Sequence, residues 1–294
     1  MDAIDLTLPP VSAVGSQQLS PAETASTATT AASFLPEESE AVERARATQP
    51  NWSSPLITTT GLLENRLRFD VIQQHAGNGT STTVLDGGRG LDLIVGDNSE
   101  IQIAAPPFAD RTSRSRSGDV SGFGDWPFLR LEQRFASSPE SAGNYVLTGW
   151  LQIQAPTGIK ALTSNAWSFT PTFAFGKGLG NFDVQGTIAT VLPVSRGDTL
   201  GHPVQTNLAL QYHTQLFWPE LEASWTYYPD GARGGLNQIF LTAGLVIGRF
   251  VLADDLRFTF GAGYEVAIAP SYRAKPLAPA YENAWLFTSR LNFD

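Results

Sequence analysis

The sequence predicts an all-β protein: a closed antiparallel transmembrane β-barrel of about 12 strands, preceded by a low-complexity extension. Three observations carry this. From Leu62 onward apolar residues recur with a period of two, so each segment has one apolar face and one polar or small face. About twelve such segments can be counted, an even number. Their connections alternate between short turns and longer Gly-, Pro- and Asp-rich loops, as an up-and-down barrel requires.

Composition removes most other classes. The 294 residues are 42% hydrophobic and 16% charged, with 27 Gly and 19 Pro, a poor mixture for a helical protein. No apolar run reaches the 18 or more residues that a transmembrane helix needs. Cysteine is absent, which excludes disulfides, Cys-based metal sites and thiol nucleophiles. Three histidines (His75, His202, His213) are thin material for a metal centre, and no cofactor is implied. A net charge of −9 without a Lys/Arg stripe argues against nucleic acid as a partner. Met1 is followed by Asp2 and Asp5 rather than by a basic and then apolar stretch, so export implies a leader that has been removed.

Residues 1–58 form the extension. Ser, Thr, Ala and Pro dominate it, and its acids (Asp2, Asp5, Glu23, Glu37, Glu38, Glu40, Glu43) outnumber Arg44 and Arg46. Such a segment buries too little apolar surface to offset its ordering entropy and is expected to be mostly disordered, a solvated tail rather than a partner-binding arm. One short helix is expected over Pro36–Ala47, with proline in its first turn, acids next and arginines toward its end.

Residues 59–294 form the barrel. Its strands are expected near 62–75, 89–96, 100–108, 122–135, 144–156, 165–176, 182–194, 204–216, 219–228, 237–250, 255–268 and 281–293. The last is the clearest, with Trp285, Phe287, Leu291 and Phe293 on one face and Thr288, Arg290 and Asn292 on the other. Short connections fall at Gly96–Ser99, Lys177–Gly180, Trp218–Pro219 and Val251–Asp254. Ending the last strand on the periplasmic side puts these turns, and the amino-terminal extension, in the periplasm. A soluble sandwich shows the same period of two. Against it stand the two-faced character of every strand, a wet-looking Gly/Thr/Gln face, and aromatics near strand ends. Those aromatics, Trp167, Phe175, Trp218, Trp225, Tyr227, Trp285 and Phe293, fit an interfacial girdle.

Two stretches carry a family likeness. Gly122–Phe135 (GFGDWPFLRLEQRF) and Leu151–Gly158 (LQIQAPTG), with the strand–GDN turn–strand unit Leu91–Ile103 before them, resemble the outer-membrane barrels named for the meta-pathway of phenol degradation. The resemblance spans most of residues 60–294. It implies an outer-membrane channel for passive passage of small hydrophobic or aromatic compounds, with membrane lipid and the solute as partners. Outer-membrane strands usually finish on an aromatic residue read by the barrel-assembly machinery. Here Phe293 is penultimate and Asp294 follows, a departure from that pattern.

Strand phasing aims Arg66, Arg68, Asp70, Asp92, Arg130, Glu132, Arg134, Asp183, Glu220, Glu222, Arg257, Glu265 and Arg290 into the lumen. Charges there must be paired or hydrated. They read either as cross-strand ion pairs that set register or as a selectivity constriction. Arg130, Glu132 and Arg134 form the densest column for either role. The same phasing points Trp126, Phe128 and Trp150 inward, as a landing site for a flat hydrophobic solute or as filler. A 12-stranded lumen lies between filled and porin-sized, so a narrow path is expected unless a loop or the extension blocks it. A barrel hydrolase centred on His213 is the weakest reading, because no G-x-S-x-G, H-E-x-x-H or Walker-type run is present. A structural or adhesive barrel without transport is the other alternative.

Overall fold

The computed structural model describes residues 40–113, 118–269 and 281–293. The extension through residue 39, the segments 114–117 and 270–280, and Asp294 with its departure from the terminal pattern lie outside the described residues. The compact unit that holds the barrel begins at Ser39, twenty residues ahead of the boundary at 58/59 that composition suggests.

The alternating segments form strands close to where expected, except that the turn expected at Trp218–Pro219 falls at 213–216 and both residues lie inside a strand paired with Val246 and Leu245. β1 (Arg66–His75), β2 (Ser81–Leu85), β3 (Gly90–Gly96) and β4 (Ser99–Ala104) come first, then β5 (Phe108–Thr112), β6 (Val120–Phe123), β7 (Trp126–Ser138) and β8 (Tyr145–Ala155). β9 (Ser168–Leu179), β10 (Phe182–Thr190), β11 (Leu192–Pro193) and β12 (Val204–Tyr212) follow. β13 (Phe217–Tyr228), β14 (Leu236–Ala253), β15 (Leu256–Ala269) and β16 (Asn283–Phe293) complete the sheet. Twelve make a closed antiparallel wall, in the order β1-β3-β4-β7-β8-β9-β10-β12-β13-β14-β15-β16. β16 pairs back to β1 from Arg66↔Asn292 to His75↔Asn283, so neither terminal strand leaves an open edge.

β2 and all but the first residue of β5 lie in segments read from sequence as loops, and β6 begins in such a loop and ends within the strand expected over 122–135. The wall divides above the β3–β4 hairpin. β1 pairs with β3 at Arg66 and Leu67, and with β2 from Val71 to His75. β5 and β6 then extend the sheet from β2. Gly90 sits at the division with φ +155, where a Cβ would lie 2.3 Å from the Ile103 carbonyl oxygen, so only glycine fits.

Side-chain exposure separates a membrane barrel from a soluble one. Arg66 and Arg68 are each 2% exposed, whereas Leu67 and Phe69 are 47% and 45% exposed. Buried charges alternating with bare large apolar groups reverse the arrangement of a water-soluble protein and match a polar lumen inside a lipid-facing wall. Trp167, Trp225 and Trp285 are exposed on the apolar face as expected. Trp218 is not: it is 4% exposed and shares the inner face of β13 with Glu220 and Glu222, so it leaves the girdle.

Short turns cluster at one end of the barrel and longer loops at the other. At the short-turn end lies α1, of which residues 40–47 are described. Arg44 Nε meets Asp97 Oδ1 in the β3–β4 turn at 3.1 Å, and Arg46 Nη2 donates to the Phe293 carbonyl at 2.8 Å. At the loop end, Gly201 and Gly231 bring two loops together backbone to backbone, each with positive φ. The His202 ring Nδ1 meets Asp230 Oδ2 at 2.7 Å there, and hydrogen bonding from that ring and from the His202 amide holds the Asp230 carboxyl below the usual carboxylate range.

Leu221, 53% exposed in mid-β13, tests the lipid face. Leu221→Arg is expected to destabilise the barrel in lipid vesicles by ~2–4 kcal/mol in denaturant titrations. A loss below about 0.5 kcal/mol, ordinary for an exposed site on a soluble protein, would contradict a membrane-facing wall.

Candidate functional site

The lumen holds its own chain. Residues 48–65 have neither helix nor strand, yet Trp52, Leu56, Leu62 and Leu63 are at most 3% exposed. This plug enters from the short-turn end, bends near residues 56–60 and returns to begin β1. Its two legs are tied together by Gln49, whose amide donates to Leu63 O at 2.8 Å and accepts from Leu63 N at 3.0 Å.

Without a ladder, the plug's backbone must find side-chain partners. Glu220 Oε1 accepts from Leu56 N at 3.0 Å; the two oxygens of Glu222 accept from Ile57 N at 2.8 Å and Thr58 N at 2.6 Å. Arginines take the carbonyls. Arg68 donates to Pro55 O and Leu56 O at 3.2 and 2.5 Å, and Arg290 donates to Ser54 O and, at 2.8 Å, to Pro55 O. Arg89 reaches Ile57 O at 3.0 Å, Arg249 reaches Asn51 O and Trp52 O at 2.8 and 2.7 Å, and Arg134 donates to Gln49 Oε1 at 2.9 Å and to the α1 carbonyl of Ala45 at 2.7 Å. Gln185 bonds Thr60 and Ser53 O, and Thr148 donates to Gly61 O at 2.6 Å.

Apolar seats fix the plug's position. Leu56 packs with Trp218 and Val246. It sits over glycines of β14 and β15, where a Cβ would lie 2.3 Å (Gly244), 2.8 Å (Gly261) and 2.7 Å (Gly263) from its side chain. Trp52 packs with Leu62 and Val146, and a Cβ on Gly176 would lie 2.5 Å from its ring. The small residues of the lumen face are thus hollows shaped to the plug.

The charges expected in the lumen are there. Arg66, Arg68, Arg130, Glu132, Arg134, Glu220, Glu222, Glu265 and Arg290 are all 6% exposed or less. Arg257 sits apart, exposed at the short-turn mouth. An ion-pair network runs across β1, β3, β4 and β7. Arg66 meets Asp92 at 2.6 Å, Arg130 meets Glu100, Glu132 and Asp92 at 2.9, 3.2 and 3.4 Å, and Asp70 joins Arg68 and Arg89 at 2.9 and 3.1 Å. Arg134 belongs instead to the plug and the β3–β4 turn, through Thr48, Asp97 O and Asn98.

Trp150 faces inward, with Arg130 Cζ 5.3 Å from its ring centroid. Trp126 and Phe128 leave the phase expected of them. A register shift between Trp126 and Leu129 sets Trp126 opposite Ala155 and its indole on Ala104 O at 2.6 Å. Phe128 packs edge-on against Trp167, and Pro127 lines the lumen chamber instead. His213 Nε2 contacts Asp183 Oδ2, and among the described residues no hydroxyl bonds its ring. Several site residues escaped the sequence reading. Glu100 alternates with Ile101 and Ile103, and period two would have found it. Arg89 lies outside regular alternation, and Arg249 takes a left-handed backbone (φ 61) beside a register shift, so neither gives a local signal.

Among the described residues two chambers adjoin the plug. One of about 630 Å³ at the short-turn end touches both plug legs and is lined by Arg249, Arg257 and Arg290. The other, about 300 Å³, meets the plug only at Thr59 and lies under the loop-end parts of β7 and β8.

No family model matches the chain, and no curated protein matches it. Among solved structures it is similar to the crystal structure of an outer-membrane channel from Pseudomonas putida F1, with a TM-score of 0.50 and 15% identity over 82% of this chain and 99% of that one. NanC porin aligns with a TM-score of 0.45 and 7% identity over 77% of this chain and 99% of that one. The β domain of the Bordetella autotransporter BrkA aligns with 0.42 and 14%, over 78% and 97%. The first of these likenesses bears on the fold alone, that of a closed antiparallel β-barrel.

Two substitutions probe the seating. Glu222→Leu removes the acceptor of two plug amides, one buried (Thr58) and one half-buried (Ile57), at a cost of about 1–3 kcal/mol for a buried group left unpaired. Hydrogen exchange at Ile57 and Thr58 is expected to speed up at least about tenfold, with exchange in β13 and β14 unchanged. Gly263→Val fills the hollow under Leu56 and is expected to expose the plug to added protease while the barrel keeps its resistance; a plug as protected as before would contradict the seating.

Proposed function

We propose that this chain is an outer-membrane channel for passive passage of small hydrophobic or aromatic compounds, closed at rest by residues 48–65. The reading places the amino terminus and the short turns in the periplasm. It also has the barrel-assembly machinery recognise β16, and it requires no cofactor or energy input.

The observation that carries it is how the plug is held. A permanent filler would gain most by joining the sheet or packing as a continuous apolar core. This segment instead rests on discrete side-chain contacts, with Glu220 and Glu222 on its amides and Arg68, Arg89, Arg249 and Arg290 on its carbonyls. Each is reversible and worth ~0.5–3 kcal/mol net, so the segment can leave without opening the wall. The lumen face exposed by its departure is polar and glycine-rich, suited to a wet path. The neighbouring ion pairs hold β1, β3, β4 and β7 in register while the plug moves. A non-transporting barrel draws on the same filled lumen, and movement of the plug separates the two readings.

The absence of cysteine allows a clean lock. A Cβ on Gly61 would lie 3.3 Å from Ala174 Cβ, close to the spacing a disulfide spans. Gly61→Cys with Ala174→Cys is expected to be silent in planar bilayers when oxidised and to show stepwise channels once reduced. The unsubstituted chain should match the reduced form. Silence in both states, with no uptake of phenol or toluene by loaded vesicles, would reject the channel in favour of a structural barrel.

A further inference from the structure

The 300 Å³ chamber at the loop side of the plug has the makings of a binding site. Two guanidiniums, of Arg89 and Arg130, line it, and no carboxylate does. The acids that hold these arginines, Asp70 for Arg89 and Asp92, Glu100 and Glu132 for Arg130, are absent from the lining. They engage Nε of Arg89, and Nε and Nη2 of Arg130; Nη1 and Nη2 of Arg89 each spend one hydrogen on the plug, at Thr59 Oγ1 (3.1 Å) and Ile57 O (3.0 Å), and keep a second. Nη1 of Arg130 has no hydrogen-bond partner among the described residues.

Other donors here are also unused. The side-chain amides of Gln152 and Gln154, both half-buried on the inner face of β8, have no partner among the described residues, nor has the Trp150 indole N–H. The lining is therefore rich in donors and in positive charge, and its complement is a ligand that presents acceptors and a negative charge. Its shape adds a second requirement. The Arg130 guanidinium lies over the Trp150 ring, a flat platform that favours a planar group. Gly88, with φ +88, brings its backbone against Pro127, where a Cβ would lie 3.1 Å from the proline ring. The space suits one small ring rather than a long chain.

We infer that this chamber binds a small carboxylate anion bearing a single planar ring. The carboxylate sits at Arg130 Nη1 and Arg89, is steadied by Gln152 and Gln154, and the ring lies along Trp150. The inference rests on the channel reading for its purpose, since the site would hold the solute against Thr59 at the closed plug. It extends that reading from neutral hydrophobic compounds to ionised aromatic acids.

The test is calorimetric titration of the full chain in detergent with benzoate, benzyl alcohol, acetate and inorganic phosphate. Benzoate is expected to bind saturably at one site, with the other three at least roughly tenfold weaker, about the effect of one lost charge-assisted hydrogen bond. Arg89→Gln and the pair Gln152→Leu with Gln154→Leu should each weaken benzoate roughly tenfold while the heat-dependent gel mobility of the folded barrel persists. Arg130 is left intact because it holds three carboxylates. Benzyl alcohol or phosphate binding as tightly as benzoate, no benzoate binding at all, or benzoate affinity unmoved in both folded variants would each overturn the inference. If a variant fails to fold, the discrimination among the four probes by the unsubstituted chain decides. Binding is read on the closed barrel. Silent bilayers with the reduced Gly61→Cys, Ala174→Cys protein would thus remove the channel reading without touching this result, and failed binding would leave conductance standing.

Discussion

Pairing of β16 with β1 is the constraint on which the rest of the structure depends. Hydrocarbon offers no partner to an exposed backbone N–H or C=O, so a sheet that crosses it must close on itself. Closure assigns the two faces of every strand to opposite environments. Leu67, Phe69, Leu221 and Phe287 go to lipid, while Arg66, Arg68, Glu222 and Thr288 go to the lumen. A wall of twelve strands encloses more space than its own inner side chains fill.

The plug and the lumen charges answer that space together. An irregular segment can occupy a barrel only if its amides and carbonyls are satisfied, and the wall supplies carboxylates for the former and guanidiniums for the latter. The same exchange relieves the charges. Glu220 and Glu222 lie side by side on β13 with few cations near them, and the three plug amides take the place of water or a counter-ion. Arg290, likewise, carries no salt bridge among the described residues and is discharged on Ser54 O and Pro55 O. Arg66, Arg130, Asp92 and Glu100 neutralise one another within the wall, and two of them also hold the plug: Arg66 meets Glu64 and donates to Ser54 Oγ at 2.7 Å, and Glu100 accepts from Glu64 N at 2.6 Å. The wall's inner face therefore divides into a sector on β1–β7 rich in internal ion pairs, tied to the plug through Arg66, Arg68, Glu100 and Arg134, and a sector centred on β13 and β16 whose charges are met mainly by the plug.

That division bears on the two chambers. The ion-paired sector, where Arg130 bonds Asp92 and Glu100, carries the smaller chamber. The β13–β16 sector, with glycines at 244, 261 and 263, is hollow and loses partners when the plug leaves. The chamber proposed to bind a ligand and the plug's main apolar seat thus lie on opposite sides of one lumen, joined where Arg89 touches both Asp70 of the wall and Ile57 of the plug.

Twelve barrel strands and nearly all lumen charges were legible in the sequence, because a strand's side-chain direction follows from its parity alone. Arg66 to Asp70 and Glu220 to Glu222 are inward for no reason beyond position. Parity fails where the backbone inserts a residue. The shift between Trp126 and Leu129 turned the expected inward aromatics into wall residues, and Trp218, grouped with the girdle by type, follows its parity into the lumen. The segment 48–65 was unreadable for a different reason. Its partners lie up to 236 positions away, so neither period nor composition marks it as buried. The sequence by itself determined a closed barrel and the sign of each face, since those follow from local alternation and the demands of lipid. Only the tertiary structure decided that the lumen is occupied, by which residues, and what space remains, because these depend on contacts between segments that carry no common local pattern.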